Sequence, residues 1–293
     1  PRRNPGGPGS RMKLSSLFLS VNGVRLHVQS AGQGPAVVLL HGFPDNHVVW
    51  RKQVAPLVAA GFRVLAPDLR GCGDSDMPQE VSAYQLRHLC ADVLAILDQL
   101  DIAKARIVGH DWGAALGWLL CMQAPQRIEQ FVALSVGHPG AIARAGLLQA
   151  LRSSYMMWFL LPGLAERSLM AGDFYLFKRF TTDRTQVRYW KKSLREAGRL
   201  TAALNVYRAN VPRALALAAR GEPVQLPVMG VWSSGDIALG EAQMRDSAAY
   251  VAQRFRYERI EGADHWLQVT AAERVNALLL DFFGAAASAS SNS

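Results

Sequence analysis

The chain has 293 residues, half of them hydrophobic, and a formal net charge of +9 at pH 7. These values suit one large α/β domain with a sizeable core. No apolar run reaches the roughly 18 to 20 residues that a membrane-spanning helix needs. The three cysteines lack metal-ligand spacing, so we expect reduced thiols in a cytoplasmic protein with no bound metal or cofactor.

The positive charge is concentrated in one segment. Residues 141–220 contain 14 Lys and Arg against 4 Asp and Glu. No nucleic-acid-binding motif occurs there, and the aromatic residues are not interleaved with the basic ones as a stacking platform would require. We therefore predict a solvated basic helical surface and no nucleic-acid partner, while attraction of anionic substrates or surfaces stays open.

Short β-branched runs alternate with helical segments along most of the chain, which indicates a mostly parallel sheet. A hairpin is predicted at Asn22-Gly23, a dipeptide suited to a tight turn. The predicted strands cover 17–21, 24–29, 36–40, 62–66, 105–108, 128–136, 228–232 and 255–260, and the predicted helices cover 48–60, 84–100, 114–122, 241–250 and 271–283.

One segment departs from this alternation. Between 138 and 222, β-branched runs give way to short helical stretches broken by Gly and Pro. We predict a helical lid over the carboxyl edge of the sheet, where open α/β sheets bind ligands, with the core at 12–137 and 223–284. Residues 1–11 are expected to be an expression remnant outside the fold, and 285–293 a flexible tail.

The chemistry is indicated by the stretch Val108-Gly109-His110-Asp111-Trp112-Gly113, which follows a predicted strand and precedes a predicted helix. This pattern predicts a nucleophile elbow, in which esterases carry Ser. A Ser that attacked a saturated carbon would form a stable ether, whereas a carboxylate forms an ester that water can hydrolyse. Asp111 is already ionised at neutral pH, so it needs no activating base. The elbow therefore predicts epoxide opening or halide displacement.

Four motifs in this order resemble the epoxide hydrolase branch of the α/β-hydrolase superfamily, over Leu17 to Phe283. They are His41-Gly42-Phe43-Pro44, Gly109-His110-Asp111-Trp112-Gly113, Gly235-Asp236 and Gly262-Ala263-Asp264-His265-Trp266. The resemblance implies an α/β-hydrolase fold with a helical lid. It also implies conversion of an epoxide to a vicinal diol through an ester on Asp111. The expected partners are an apolar epoxide and water, and the sequence leaves open a homodimer.

The remaining core residues follow from motif position. His265 comes after the last predicted strand, where the superfamily places the base that activates water, and Asp236 is expected to orient it. The rival position for the acid, at 135–138, has no carboxylate. The backbone N–H groups of Phe43 and Trp112 are the expected oxyanion-hole donors. His110, inside the elbow, is expected to hydrogen-bond locally or to contact substrate.

The lid supplies the residues that discriminate between reactions. Tyr155 and Tyr207 lie in segments that resemble those giving epoxide hydrolases a pair of lid tyrosines, although either one could simply be packed in a core. Neutral phenols can share the charge of the alkoxide that ring opening creates. Phe159 is expected to form an apolar wall of the site.

Two other functions remain open from the sequence. A haloalkane dehalogenase shares the Asp elbow and Trp112, but Phe43 stands where one large group of these enzymes has a halide-binding Asn. Trp158 or Trp190 could supply the missing N–H donor. More remotely, the fold also serves as a non-catalytic ligand-binding module, although such relatives usually lose the residues corresponding to Asp111, Asp236 and His265. A serine esterase is disfavoured because no Gly-x-Ser-x-Gly occurs.

Overall fold

A computed structural model describes residues 14–213 and 223–289, with side chains through Gly284. The predicted remnant at 1–11, the last part of the predicted lid at 214–222 and the end of the predicted tail at 290–293 lie outside the described residues. The proposed division into core and lid stays a prediction at its boundaries.

Within the described residues, an eight-stranded sheet has the order β1-β2-β4-β3-β5-β6-β7-β8. Strand β2 is antiparallel to both neighbours, β1 and β4, and the remaining pairs are parallel, which confirms the mostly parallel sheet. The strands are β1 Leu14–Val21, β2 Val24–Ala31, β3 Ala36–Leu40, β4 Arg63–Pro67, β5 Ala105–His110, β6 Ile128–Leu134, β7 Val228–Ser233 and β8 Phe255–Ile260.

Helices cover both faces of the sheet in the described part of the chain, and six of them lie between β6 and β7. The α-helices are α1 Val54–Ala59, α2 Leu86–Gln99, α3 Trp112–Gln123, α4 Pro139–Arg144, α5 Gly146–Arg152, α6 Tyr155–Phe159, α7 Leu164–Phe174, α8 Arg184–Leu194, α9 Arg199–Asn210, α10 Glu241–Arg245, α11 Leu267–Thr270 and α12 Ala272–Ala289. None of the helices described is long and apolar enough to cross a membrane.

Three predicted helices differ from the observed ones. The helix predicted over 241–250 is α10 followed by a 3-10 turn, Asp246–Tyr250. The helix predicted over 48–60 is a 3-10 turn, His47–Trp50, followed by α1. Pro56 has no N–H to donate to the carbonyl four residues earlier, so a continuous helix would lose a bond there. The last helix runs to Ala289, into the predicted tail, because its alanines have the highest helix propensity.

The helices between β6 and β7, which we call the lid, are tied to loops at the carboxyl edge of the sheet. Asn210 accepts from the Leu86 N–H at 2.9 Å and donates to the Tyr84 carbonyl at 2.9 Å. Arg199 donates to the Ser75 carbonyl at 2.7 Å. These bonds join the last described α-helix of this segment to the stretch between β4 and the start of α2, at the carboxyl edge of the parallel strands.

Candidate active site

Asp111 occupies the sharp turn between β5 and α3. Its φ of 54° and ψ of −124° are unfavourable for a residue with a side chain. The turn is held by close packing, since a Cβ on Gly113 would lie 2.0 Å from the Leu40 carbonyl oxygen. Only glycine permits this approach of α3 to β3. The strained turn projects the Asp111 carboxylate into the cavity under the lid.

The two carboxylate oxygens of Asp111 have different surroundings. Oδ1 accepts the Phe43 backbone N–H at 2.8 Å, while Oδ2 lies 3.6 Å from Nε2 of His265. Burial alone would raise the pKa of this carboxyl, but interaction with His265 and the Phe43 N–H hold the pKa below its usual value. Asp111 is therefore an anion at neutral pH, with Oδ2 free to react.

His265 and Asp236 come from the loops after β8 and β7, so they reach the same sheet edge as Asp111. His265 Nδ1–H donates to Asp236 Oδ2 at 2.7 Å. Asp236 Oδ1 accepts from the N–H groups of Ala238 and Leu239 at 2.8 and 3.0 Å. Burial lowers the pKa of His265, but the Asp236 and Asp111 carboxylates outweigh it and raise the pKa to about 10. The resting site is thus an imidazolium between two carboxylates.

This arrangement predicts the titration of His265. Asp111→Asn removes one of the two carboxylates, so the pKa of His265 should fall from about 10 toward its ordinary 6.5. Because the folded-state value is raised, the proton stabilises the fold fully below pH 6.5, and that stabilisation is lost as pH rises through about 10. NMR of 15N-labelled histidine measures the His265 titration in the parent and in Asp111→Asn. Asp101→Asn, which replaces an exposed carboxylate, is the control. An unchanged His265 titration in Asp111→Asn would contradict the assignment.

His110 lies behind His265 and does not line the cavity. It is fully buried, and its Nε2–H donates to the His265 carbonyl at 2.9 Å. The Ser135 hydroxyl donates to the same carbonyl at 2.9 Å. The expected substrate contact of His110 is therefore corrected: its side chain bonds to the backbone of His265, 155 residues further along the chain. His110 is the last residue of β5, whereas Asp111 lies in the turn that follows it.

Sequence reasoning missed Asp45, which directly follows the His41–Pro44 motif. Its Oδ1 accepts from the Trp190 indole at 2.5 Å and the Gln186 amide at 2.8 Å, both on α8, and Oδ2 accepts from the Trp266 indole at 2.8 Å. Burial raises the pKa of Asp45 to about 7, although these hydrogen bonds to the carboxylate act to lower it. Asp45 thus fastens the lid to the loop carrying His265. The signal in the sequence that could have identified Asp45 is its position directly after the motif.

A cavity of about 270 Å³ separates the lid from the sheet edge. Six predicted site residues line it, namely Phe43, Asp111, Tyr155, Phe159, Tyr207 and His265. Asp236 stands behind His265, and Trp112 is not in the lining. The other lining residues are Arg152, Phe180, Ile237, Ala238 and Trp266, so the wall is mostly apolar.

The two tyrosines reach the cavity from different helices. Tyr155 begins α6, while Tyr207 on α9 is 2 % exposed and packs edge-on against Trp112, with 5.1 Å between ring centroids. Burial raises the pKa of both phenols well above the usual value, and the Asp111 charge acts in the same direction. Both phenols therefore stay protonated and can donate.

The tryptophans offer little to a departing halide. Neither Trp158 nor Trp190 lines the cavity, and the Trp190 N–H already donates to Asp45. Trp266 lines the cavity, but its N–H also donates to Asp45. The Trp112 side chain is outside the cavity lining and packs edge-on against the Tyr207 ring. Among the described side chains that line the cavity, the one indole is therefore already engaged, and none is free to bind a halide.

Comparison with known proteins agrees with this geometry. Residues 35–272 match the family model described as alpha/beta hydrolase fold. The AB hydrolase superfamily protein YfhM of Bacillus subtilis is 33 % identical over 280 residues, covering 90 % of this chain and 96 % of its own. Epoxide hydrolase 3 of Siraitia grosvenorii is 32 % identical, covering 77 % of this chain and 82 % of its own.

Solved structures give the same result. Epoxide hydrolase VrEH1 from Vigna radiata has a TM-score of 0.80 and 28 % identity, covering 92 % of this chain and 98 % of that one. Epoxide hydrolase A from Mycobacterium thermoresistibile has a TM-score of 0.76 and 29 % identity, with the same coverage. The chain belongs to the α/β-hydrolase fold family. Within that family it is an epoxide hydrolase.

Proposed function

We propose that the chain opens an apolar epoxide through a covalent ester on Asp111 and releases a vicinal diol. The observation that carries this proposal is the placement of one carboxylate and two phenols around a single apolar cavity. Asp111 Oδ2 attacks a ring carbon, and the bond from that carbon to the ring oxygen breaks. Tyr155 and Tyr207 donate hydrogen bonds to the developing alkoxide, which takes a proton from solvent. The His265 imidazolium returns one proton to solvent once the Asp111 charge is gone, which leaves a neutral imidazole for the second step.

The second step hydrolyses the ester. His265 Nε2 removes a proton from water, whose oxygen attacks the Asp111 carboxyl carbon, and Asp236 stabilises the resulting imidazolium. Negative charge then develops on Oδ1, the carbonyl oxygen of the ester. Hydrogen bonds from the Phe43 N–H, which is already 2.8 Å from Oδ1, and from the Trp112 N–H stabilise this charge. The bond from the Asp111 carboxyl carbon to the substrate oxygen then breaks, and that oxygen takes the proton from the His265 imidazolium as the diol leaves. The Asp111 carboxylic acid gives its proton to His265, which restores the carboxylate and the imidazolium of the resting site.

The electrostatics support this order of steps. In the resting site, Asp111 and Asp236 hold the pKa of His265 at about 10, which keeps the imidazole protonated. Ester formation removes the Asp111 charge, so the pKa of His265 falls. The imidazole can then act as a base only after the nucleophile has reacted. His265 therefore becomes available for hydrolysis when an ester is present to be hydrolysed.

The lid tyrosines provide the test that separates epoxide from halide chemistry. Tyr155→Phe and Tyr207→Phe should each slow ester formation from a styrene-type epoxide by about 10²- to 10³-fold, because each removes a preorganised donor. The double variant should be nearly inactive, since neither phenol can then cover for the other. Stopped-flow measurement of ester formation checks this, with a bromoalkane as the second substrate.

Tyr175→Phe is the matched control, since Tyr175 is a lid tyrosine that is 57 % exposed and outside the cavity lining. It should react at the parent rate. A double variant that forms the ester from an epoxide within a few-fold of the parent rate would contradict the proposed role of the pair. A halide needs no proton to leave, so a dehalogenase would tolerate both substitutions.

A further inference from the structure

The lid helix α5 presents its apolar side to solvent. Leu147, Leu148 and Leu151 are 77 %, 66 % and 61 % exposed. They fall within about 100° of the helix circumference, and Gln149, which is buried, lies nearly opposite them. A helix at the surface of a globular protein normally turns its apolar face to the core and its polar face to water. The outward face of α5 is therefore left without a packing partner in the part of the chain that the structure describes.

Hydrogen bonds to the loop after β7 fix α5 in this orientation. The Gln149 side-chain amide donates to the Ala238 carbonyl at 3.1 Å. The Arg152 guanidinium donates to the Asp236 carbonyl at 3.3 Å. Ile237 lies between these two acceptors in the chain and is 68 % exposed, so it extends the apolar surface of the helix. We call this surface the apolar patch, which consists of Leu147, Leu148, Leu151 and Ile237.

The charge around the apolar patch is positive. Arg144, which is exposed, precedes Leu147 by three residues, and Arg152 directly follows Leu151. From residue 130 to residue 165 the sequence contains no Asp or Glu. The four acidic residues further along the lid, between 166 and 196, each lie in an ion pair with Arg or Lys. The lid therefore combines an exposed apolar surface with an excess of basic residues.

We propose that the apolar patch and the basic residues of the lid dock the protein on an anionic phospholipid bilayer. Exposed aliphatic side chains gain free energy when they leave water for the boundary between headgroups and acyl chains. Guanidinium groups form charge-assisted hydrogen bonds with phosphate oxygens. Each basic residue near an anionic membrane strengthens attachment by about fivefold. The patch supplies the apolar contribution and the lid supplies the electrostatic one, the combination by which interfacial helices attach.

A second copy of the chain is the other candidate for covering the apolar patch. A stable protein interface takes roughly 20 to 30 residues from each partner. The patch has four exposed apolar side chains, which is a small part of such an interface. Pairing two lids would also bring together two surfaces with the same excess of positive charge. An anionic bilayer supplies the opposite charge and accepts a few inserted side chains, so these observations favour the bilayer.

Co-sedimentation with lipid vesicles tests this proposal. At low ionic strength, the parent should bind vesicles with about one third phosphatidylglycerol roughly tenfold or more tightly than vesicles of phosphatidylcholine alone. The double variant Leu147→Ser/Leu148→Ser should bind the anionic vesicles about tenfold or more weakly than the parent, because it removes most of the apolar contribution. The matched control is Leu14→Ser/Phe18→Ser, since these residues are 53 % and 50 % exposed on the edge strand β1. It should bind like the parent.

A fluorescent label identifies the surface that enters the bilayer. An environment-sensitive dye attached at Leu148→Cys should shift its emission to shorter wavelength when anionic vesicles are added. The same dye at Leu14→Cys should show no shift, because β1 is outside the lid. The parent protein, which has three cysteines of its own, measures the background labelling.

The outcomes distinguish insertion of the patch from other kinds of attachment. Equal binding of anionic vesicles by the parent and by Leu147→Ser/Leu148→Ser would overturn the proposal and leave general attraction by the net positive charge. Absence of vesicle binding by the parent would also overturn it. A dimer in analytical ultracentrifugation that the same double variant dissociates would then identify a second copy as the occupant. These measurements do not involve turnover, so their outcome is independent of the proposed function.

Discussion

Asp111→Ala is expected to lose epoxide turnover by on the order of 10⁴- to 10⁶-fold, because no covalent ester can form without the carboxylate. The residual cavity, His265 and the tyrosines would still bind substrate but would have no nucleophile to present. Diol release from styrene oxide, measured by chromatography, checks the result. Alanine is preferred to asparagine in this assay, since slow deamidation of an asparagine would regenerate the nucleophile.

The matched control is Asp101→Ala, which removes an exposed carboxylate on the loop after α2. It should retain the parent turnover. Thermal unfolding should check separately that Asp111→Ala is folded. Position 111 has a positive φ, which is unfavourable for alanine as it is for aspartate. A folded Asp111→Ala protein with parent activity would rule out the ester and leave direct attack by water as the route.

Three residues of the candidate site could be placed together from the sequence because each follows a strand. Phe43, Asp111 and His265 come directly after or shortly after β3, β5 and β8. The carboxyl ends of parallel strands meet at one edge, so a correct assignment of the strands brings these residues together without knowledge of side-chain contacts. The elbow adds a local constraint, since small residues at 109 and 113 permit the close approach of α3 and β3.

Other features depend on packing between distant segments. Asp45 receives its donors from residues 141, 145 and 221 positions further along the chain, which no local pattern indicates. The sequence shows the excess of basic residues in the lid, but not which arginine faces the cavity. That depends on how α5 is fixed to the loop after β7, through Gln149.

His265→Gln should stop the second step while allowing the first. Glutamine cannot accept a proton from water at this position, so ester hydrolysis should slow by about 10²- to 10⁴-fold. Loss of His265 also raises the pKa of Asp111, since His265 is what chiefly holds it down. The experiment therefore belongs near pH 8, where the Asp111 carboxylate remains ionised in the variant.

Mass spectrometry after mixing His265→Gln with one equivalent of epoxide should show a protein heavier by one substrate, and peptide mapping should place the adduct on Asp111. His88→Gln is the control, since His88 lies on α2 away from the cavity lining, and it should turn over normally without a trapped adduct. An unmodified His265→Gln protein that still releases diol would mean that water attacks the epoxide directly. An unmodified protein that releases no diol would mean that His265 is also needed for ester formation, and the imidazolium beside Asp111 would then have a role in ring opening.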